Sequence, residues 1–130
     1  IASRLTSIPG ASCFFEQGRI TYSNESKIQQ LGVKRSTIEN FGAVSEETAK
    51  EMATGLKERS SSDICLSTTG IAGPNGGGPG KPVGLVYIGA LYKNNIVCNS
   101  YNLTGTRERI RNQTMLLAFN IVRNILEQKD

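Results

Sequence analysis

The sequence predicts an α/β fold: a three-layer α/β/α sandwich around a mixed β-sheet, forming a single domain over residues 1–130. Three observations predict it. Apolar, β-rich runs at 63–69, 83–92 and 96–103 read as strands, while capped stretches with apolar residues every three or four positions read as helices. Helices interspersed with strands favour layers that cover both faces of one sheet. A chain of this length also buries roughly two thirds of its unfolded surface, enough for one sizeable core.

The elements follow in order. Residues 1–7 read as the end of a helix, stopped by Pro9-Gly10. Residues 13–22 hold two short apolar-polar stretches separated by Gly18, which predicts two strands with a turn or bulge between them. Ser23 or Asn24 caps a helix running to Leu31, with Gly32 as its stop, and Ser45 caps a longer one reaching about Glu58. Ala49, Met52, Ala53 and Leu56 give that longer helix one apolar face. The 83–92 strand is apolar enough to lie centrally, and 96–103 pairs beside it. The final helix, from Thr106 to Glu127, places Ile110, Thr114, Leu117, Ala118, Ile121 and Ile125 on one stripe.

Composition excludes several chemistries. The chain contains no histidine, so Ser/His, Cys/His and His-metal sites cannot be assembled within one subunit. Hydrolysis would have to use lysine, tyrosine or a carboxylate as proton carrier, and a lysine must first be deprotonated by burial or a neighbouring cation. The net charge of +4 suggests an anionic ligand, but the basic residues are dispersed except for Arg107, Arg109 and Arg111. With 6% aromatic residues and no stacking motif, a nucleic-acid-binding domain is a poor fit. Cys13, Cys65 and Cys98 lack metal-ligand spacing and read as reduced, buried thiols of a cytoplasmic protein. No apolar run approaches the ~20 residues needed to span a bilayer.

Residues 69–84 read TGIAGPNGGGPGKPVG, seven glycines and three prolines in sixteen residues. Such a loop lets a ligand approach the backbone and its N–H groups, which suits an anion. It is not a Walker A loop, because Asn75 stands where the first glycine belongs and Pro82 where Ser/Thr should bind magnesium. A ligand-free connection between strands is the competing reading.

The segments TSIPGAS, GRITYSNESK, GAVSEETAKEMA, TTGIAGPNGG, KPVGLVYI and GTRERIRNQ, in this order, resemble the C-terminal domain of the CinA family, the nicotinamide-nucleotide amidohydrolases. The resemblance covers essentially the whole chain. The family domain begins with a strand and turn close to A-E-S-x-T-G-G, leading into the helix whose tail is Ile1 to Ser7. This sequence does not contain that opening. The resemblance implies hydrolysis of the carboxamide of nicotinamide mononucleotide to nicotinic acid mononucleotide and ammonia. It places Ser12 on the nucleophile, Tyr22 and Lys27 on neighbouring catalytic residues, and Thr69, Gly70 and Gly73 in the substrate-binding T-G-I-A-G-P motif. It also implies a substrate-binding arginine at the start of the last helix, with Arg107 and Arg111 as candidates. The implied partner is a small-molecule nucleotide, with no cofactor, metal, nucleic acid or membrane. A homo-oligomer is expected, a dimer favoured.

Residue chemistry is compatible with these roles. A serine hydroxyl loses its proton as it attacks an amide carbon, and without histidine Lys27 is the nearest side chain able to accept it. Each residue also has an ordinary reading: Ser12 as a turn residue, Lys27 on a solvated helix face, Tyr22 as strand packing. Cys13 is a rival nucleophile. If 13–22 begins with a strand, adjacent residues face opposite sides and only one of Ser12 and Cys13 enters the site. The alternative function is a nucleotide-binding or regulatory module that keeps the pocket without turnover.

Overall fold

A computed structural model describes residues 1–128. Along the chain run α1 (Ala2–Thr6), a 3-10 turn (Ala11–Cys13), α2 (Asn24–Leu31), α3 (Arg35–Phe41), α4 (Glu46–Lys57), β1 (Ile64–Gly70), β2 (Leu85–Tyr92), β3 (Asn95–Asn102) and α5 (Arg107–Glu127). The strands form one sheet in the order β1-β2-β3. Thr69 lies opposite Tyr87, and Ile88 opposite Asn99.

The α/β class and the layering are as the sequence predicts, and β2 is central. The pairing differs: both contacts are antiparallel, where a mixed sheet was expected. The strands follow one another through the Gly-rich loop and a two-residue turn, and neither connection contains the crossover helix that parallel pairing requires.

Alternation along the strands divides the core between two faces. Val86, Ile88 and Ala90 of β2 pack on Ile110, Ala118 and Ile121 of α5. On the opposite face, Cys65 and Leu91 pack on Ala53 of α4. Burying each isoleucine contributes ~1.5–3 kcal/mol. Ser45 caps α4 as read from sequence, Ser23 is the cap of the two candidates for α2, and Thr106 caps α5; they accept N–H bonds from Thr48, Ser26 and Arg109. Gly32 ends α2 in the left-handed region, at φ 70°.

One local expectation fails, and one helix lies outside the expected elements. Residues 13–22 form no strand; after the 3-10 turn the segment has no regular secondary structure and joins no sheet. Side chains hold it instead. Glu16 accepts from Ser61 N–H at 3.1 Å and Ser62 Oγ at 2.8 Å, Gln17 Nε2 donates to Arg59 O, and Arg19 donates to Gln30 O. Helix α3 has no capping side chain of its own. Its cap is tertiary: Glu51 of α4 accepts from Lys34 N–H at 2.8 Å and from the Thr37 hydroxyl at 2.7 Å.

Outside these three layers, α2 packs against α4. Leu31, Val33 and Met52 make a small cluster there. The approach is so close that a Cβ on Gly55 would lie 1.6 Å from Leu31 O. Arg59 Nη1 donates to Gly55 O at 3.0 Å, with Leu31 O 3.5 Å away, and so bridges the two helices. In an isolated helix Gly→Ala gains up to ~1 kcal/mol. Here Gly55→Ala is expected to reverse sign and destabilise by about 2 kcal/mol or more, read as a fall in urea midpoint.

Candidate functional site

A cleft of about 1850 Å³ runs along the outer edge of β1, which pairs only with β2 among the described residues. It is bounded by α1, the 12–22 segment, α2, α4 and one face of α5 along most of its length. Ser12, Tyr22, Lys27, Thr69, Gly70, Arg107 and Arg111 all line it. Residues 99 positions apart in sequence therefore face one space.

Lys27 is the most constrained of them. The Ser23 cap fixes the first turn of α2, and Lys27, one turn along, is buried, at 7% exposure. Its Nζ donates to Thr21 O at 2.7 Å, with Tyr22 O at 3.5 Å. Among the described residues it has no acidic partner. Desolvation holds its pKa below the ordinary lysine value, because burial penalises the charged form. The solvated helix face is thus excluded for Lys27.

Tyr22 is 83% exposed, so it is not a packing residue. Its hydroxyl accepts from Arg107 Nη2 at 3.3 Å, and Arg107 Nη1 donates to Gly73 O at 3.0 Å. Arg107 therefore joins the segment before α2, the Gly-rich loop and α5. The two arginines differ in their contacts: Arg107 reaches Tyr22 and the loop, and Arg111 lines the cleft one turn further along α5. Gly73 is held by its carbonyl and is not itself among the lining residues.

Thr69 is buried, and its hydroxyl donates to Ala43 O at 2.7 Å. The loop that follows is anchored at several points. Lys81 Nζ donates to Phe41 O, Gly78 and Lys81 exchange main-chain bonds, and Gly84 N–H donates to Ile71 O. Sequence reasoning missed Ala43 and Lys81, the first because a main-chain acceptor leaves no residue-type signal.

Ser12 sits in the 3-10 turn, exposed. Cys13 is exposed as well and lines the same cleft. The strand alternation that would separate them does not apply, and Cys13 is no buried thiol. Cys65 is buried, and Cys98 is half-buried, its thiol pushed up to about 11 chiefly by desolvation. Among the described residues no three His, Cys, Asp or Glu side chains are grouped to hold a metal ion. Among those residues, too, no helix is long and apolar enough to cross a membrane.

These features define a class: a layered α/β domain with an open cleft at its sheet edge, lined by serine, lysine, tyrosine and arginine. Residues 1–126 match the CinA C-terminal domain, and the chain belongs to that family. It is 51% identical over 129 residues to a CinA-like protein of Endomicrobium trichonymphae, covering 99% of this chain and 30% of that protein. A CinA-like protein of Kosmotoga olearia is 48% identical over 126 residues, covering 97% and 31%. The chain thus spans about a third of the length of these relatives. Among solved structures, competence/damage inducible protein CihA from Agrobacterium tumefaciens superposes with a TM-score of 0.92 at 38% identity, covering 95% of this chain and 76% of that one. The competence-damaged protein (CinA) superfamily protein of Klebsiella pneumoniae 700603 gives 0.94 at 30% identity, covering 98% and 79%.

Burial of Lys27 carries a pH signature. Between its lowered folded pKa and the ordinary lysine value near 10.5, the unfolded chain binds the proton that the folded chain has released. The stability of the wild type relative to Lys27→Met is therefore expected to rise with pH across that window and to level off below it. Denaturant unfolding of both proteins from pH 7 to 10.5 measures the difference; a flat difference would mean that Lys27 is solvated.

Proposed function

We propose that this domain is an amidohydrolase that converts nicotinamide mononucleotide and water to nicotinic acid mononucleotide and ammonia. The single observation that carries the reading is Lys27, a buried lysine without a counter-ion among the described residues, lining the same cleft as the Ser12 hydroxyl. Family membership supports it.

In this reading Ser12 Oγ attacks the carboxamide carbon and Lys27 takes its proton. Lys27 returns the proton to the nitrogen, the C–N bond breaks, and ammonia leaves an ester on Ser12. Water then attacks the ester, giving up a proton to Lys27, and the acid is released as the Ser12 hydroxyl reforms. The cationic pyridinium of the substrate disfavours an ammonium on Lys27, adding to its desolvation. Tyr22, held by Arg107, carries a hydroxyl proton free to donate, because its oxygen accepts from the guanidinium. The phosphate suits Arg107 or Arg111 and the N–H groups of the Gly-rich loop. The assembly proposed is a homo-oligomer, a dimer favoured, working in the cytoplasm on a free nucleotide.

Ammonia release from nicotinamide mononucleotide tests the reading directly. Ser12→Ala is expected to abolish turnover, by about a thousandfold or more, while leaving binding largely intact. Lys27→Arg is expected to fail too, since arginine keeps the charge but cannot be deprotonated near neutral pH. Cys13→Ala should retain activity. Its loss in a folded protein would transfer the nucleophile to Cys13. Wild-type rate should rise with pH as Lys27 loses its proton, and EDTA should leave it unchanged. Binding without turnover by wild type would instead favour a nucleotide-binding regulatory module.

A further inference from the structure

We propose that Thr69 Oγ1 is the group by which this cleft prefers a carboxamide to the corresponding carboxylate. The inference rests on the amidase reading and concerns how the reacting end of that substrate is recognised. Thr69 is 8% exposed and lines the cleft beside Gly70, at the end of β1. A hydroxyl has one proton and two lone pairs. The proton of Thr69 goes to Ala43 O, 2.7 Å away, so a ligand meets this oxygen as an acceptor only.

That polarity is opposite to that of the basic and phenolic side chains proposed to act on the substrate. Lys27, Arg107, Arg111 and the Tyr22 hydroxyl all offer N–H or O–H groups. Donors alone would favour the product, since a carboxylate only accepts and carries the charge that strengthens each bond. A primary carboxamide brings two N–H donors and a carboxylate brings none. At Thr69 the amide nitrogen gains a hydrogen bond, and the acid meets lone pair with lone pair.

The hydroxyl is not free to turn round. Donating to a carboxylate would strip Ala43 O of its partner, and the backbone there is held from both sides. Phe41 O accepts from Lys81, and Gly42 O accepts from the Ser45 and Thr48 hydroxyls at 2.9 and 2.8 Å. A site built to pair a substrate N–H rejects analogues lacking it more strongly than a site that merely fits their shape. Thr69 is accordingly a specificity-determining residue, and the proton transfers belong to other side chains.

The test is a binding cycle by calorimetry in the full chain, with Ser12→Ala as background to prevent turnover. The probes are nicotinamide mononucleotide, nicotinic acid mononucleotide and 3-acetylpyridine mononucleotide, in which a methyl group replaces the amide nitrogen at nearly constant shape. The carboxamide is expected to bind about tenfold more tightly than the methyl ketone. Thr69→Val should erase that ratio and shift the amide-to-acid ratio toward the acid, while Thr69→Ser should keep both. Equal binding of amide and ketone to the Ser12→Ala protein overturns the inference, even if Thr69→Val fails to fold. An unchanged ratio in folded Thr69→Val overturns it as well and leaves the amidase reading standing. Binding of none of the three nucleotides would remove the amidase reading, and the inference with it.

Discussion

The seating of α2 against α4 is the contact on which the candidate site depends. Helix α4 is fixed to the sheet by Ala53 against Cys65 and Leu91, and by Ser67 Oγ, which donates to Ala49 O at 2.6 Å. Helix α2 touches that frame where the Leu31 carbonyl meets Gly55, an approach that no side chain at 55 would permit. Lys27 is one turn back from Leu31 on the same helix. Its depth in the cleft is therefore set by a glycine 28 positions away. A shift of one ångström at Gly55 would be transmitted to Lys27 Nζ, because an eight-residue capped helix moves as a rigid body.

Burying Lys27 works against stability. Among the described residues the ammonium has only main-chain carbonyls as partners, and no ion pair offsets its desolvation. A domain selected for stability alone would place an apolar residue or an exposed lysine there. A lysine that loses its proton more readily is, however, what a serine nucleophile needs where no histidine exists. In the proposed reaction, local cost and chemical use would coincide at this residue, as they often do at functional sites.

The mouth of the cleft is organised by main-chain carbonyls. Phe41, Gly42, Ala43 and Gly73 each receive a side-chain donor from a distant element: Lys81, Ser45 with Thr48, Thr69 and Arg107 respectively. These bonds tie the Gly-rich loop to both helical layers. A sequence with seven glycines in sixteen residues reads as flexible, yet the fold pins it at its base, middle and flank. Ordering such a loop before a ligand arrives reduces the entropy lost on binding.

The sequence by itself determined the elements whose signals are local. Ser23, Ser45 and Thr106 cap helices because a side-chain oxygen three residues from a free N–H needs nothing else, and β2 is central because it is apolar on both faces. The order of the motifs also carried the family. Tertiary structure alone decided the rest. Helix α3 was not legible because Glu51 of another helix supplies its cap, and the 13–22 strands failed because an apolar-polar stretch becomes a strand only when a neighbour pairs with it. Arg107 and Arg111 are one turn apart on one helix and look alike in sequence; only the positions of Tyr22 and Gly73 make their contacts differ. The polarity of the Thr69 hydroxyl was equally invisible, since a hydroxyl donates or accepts according to what lies beside it, and Ala43 is brought there by the fold.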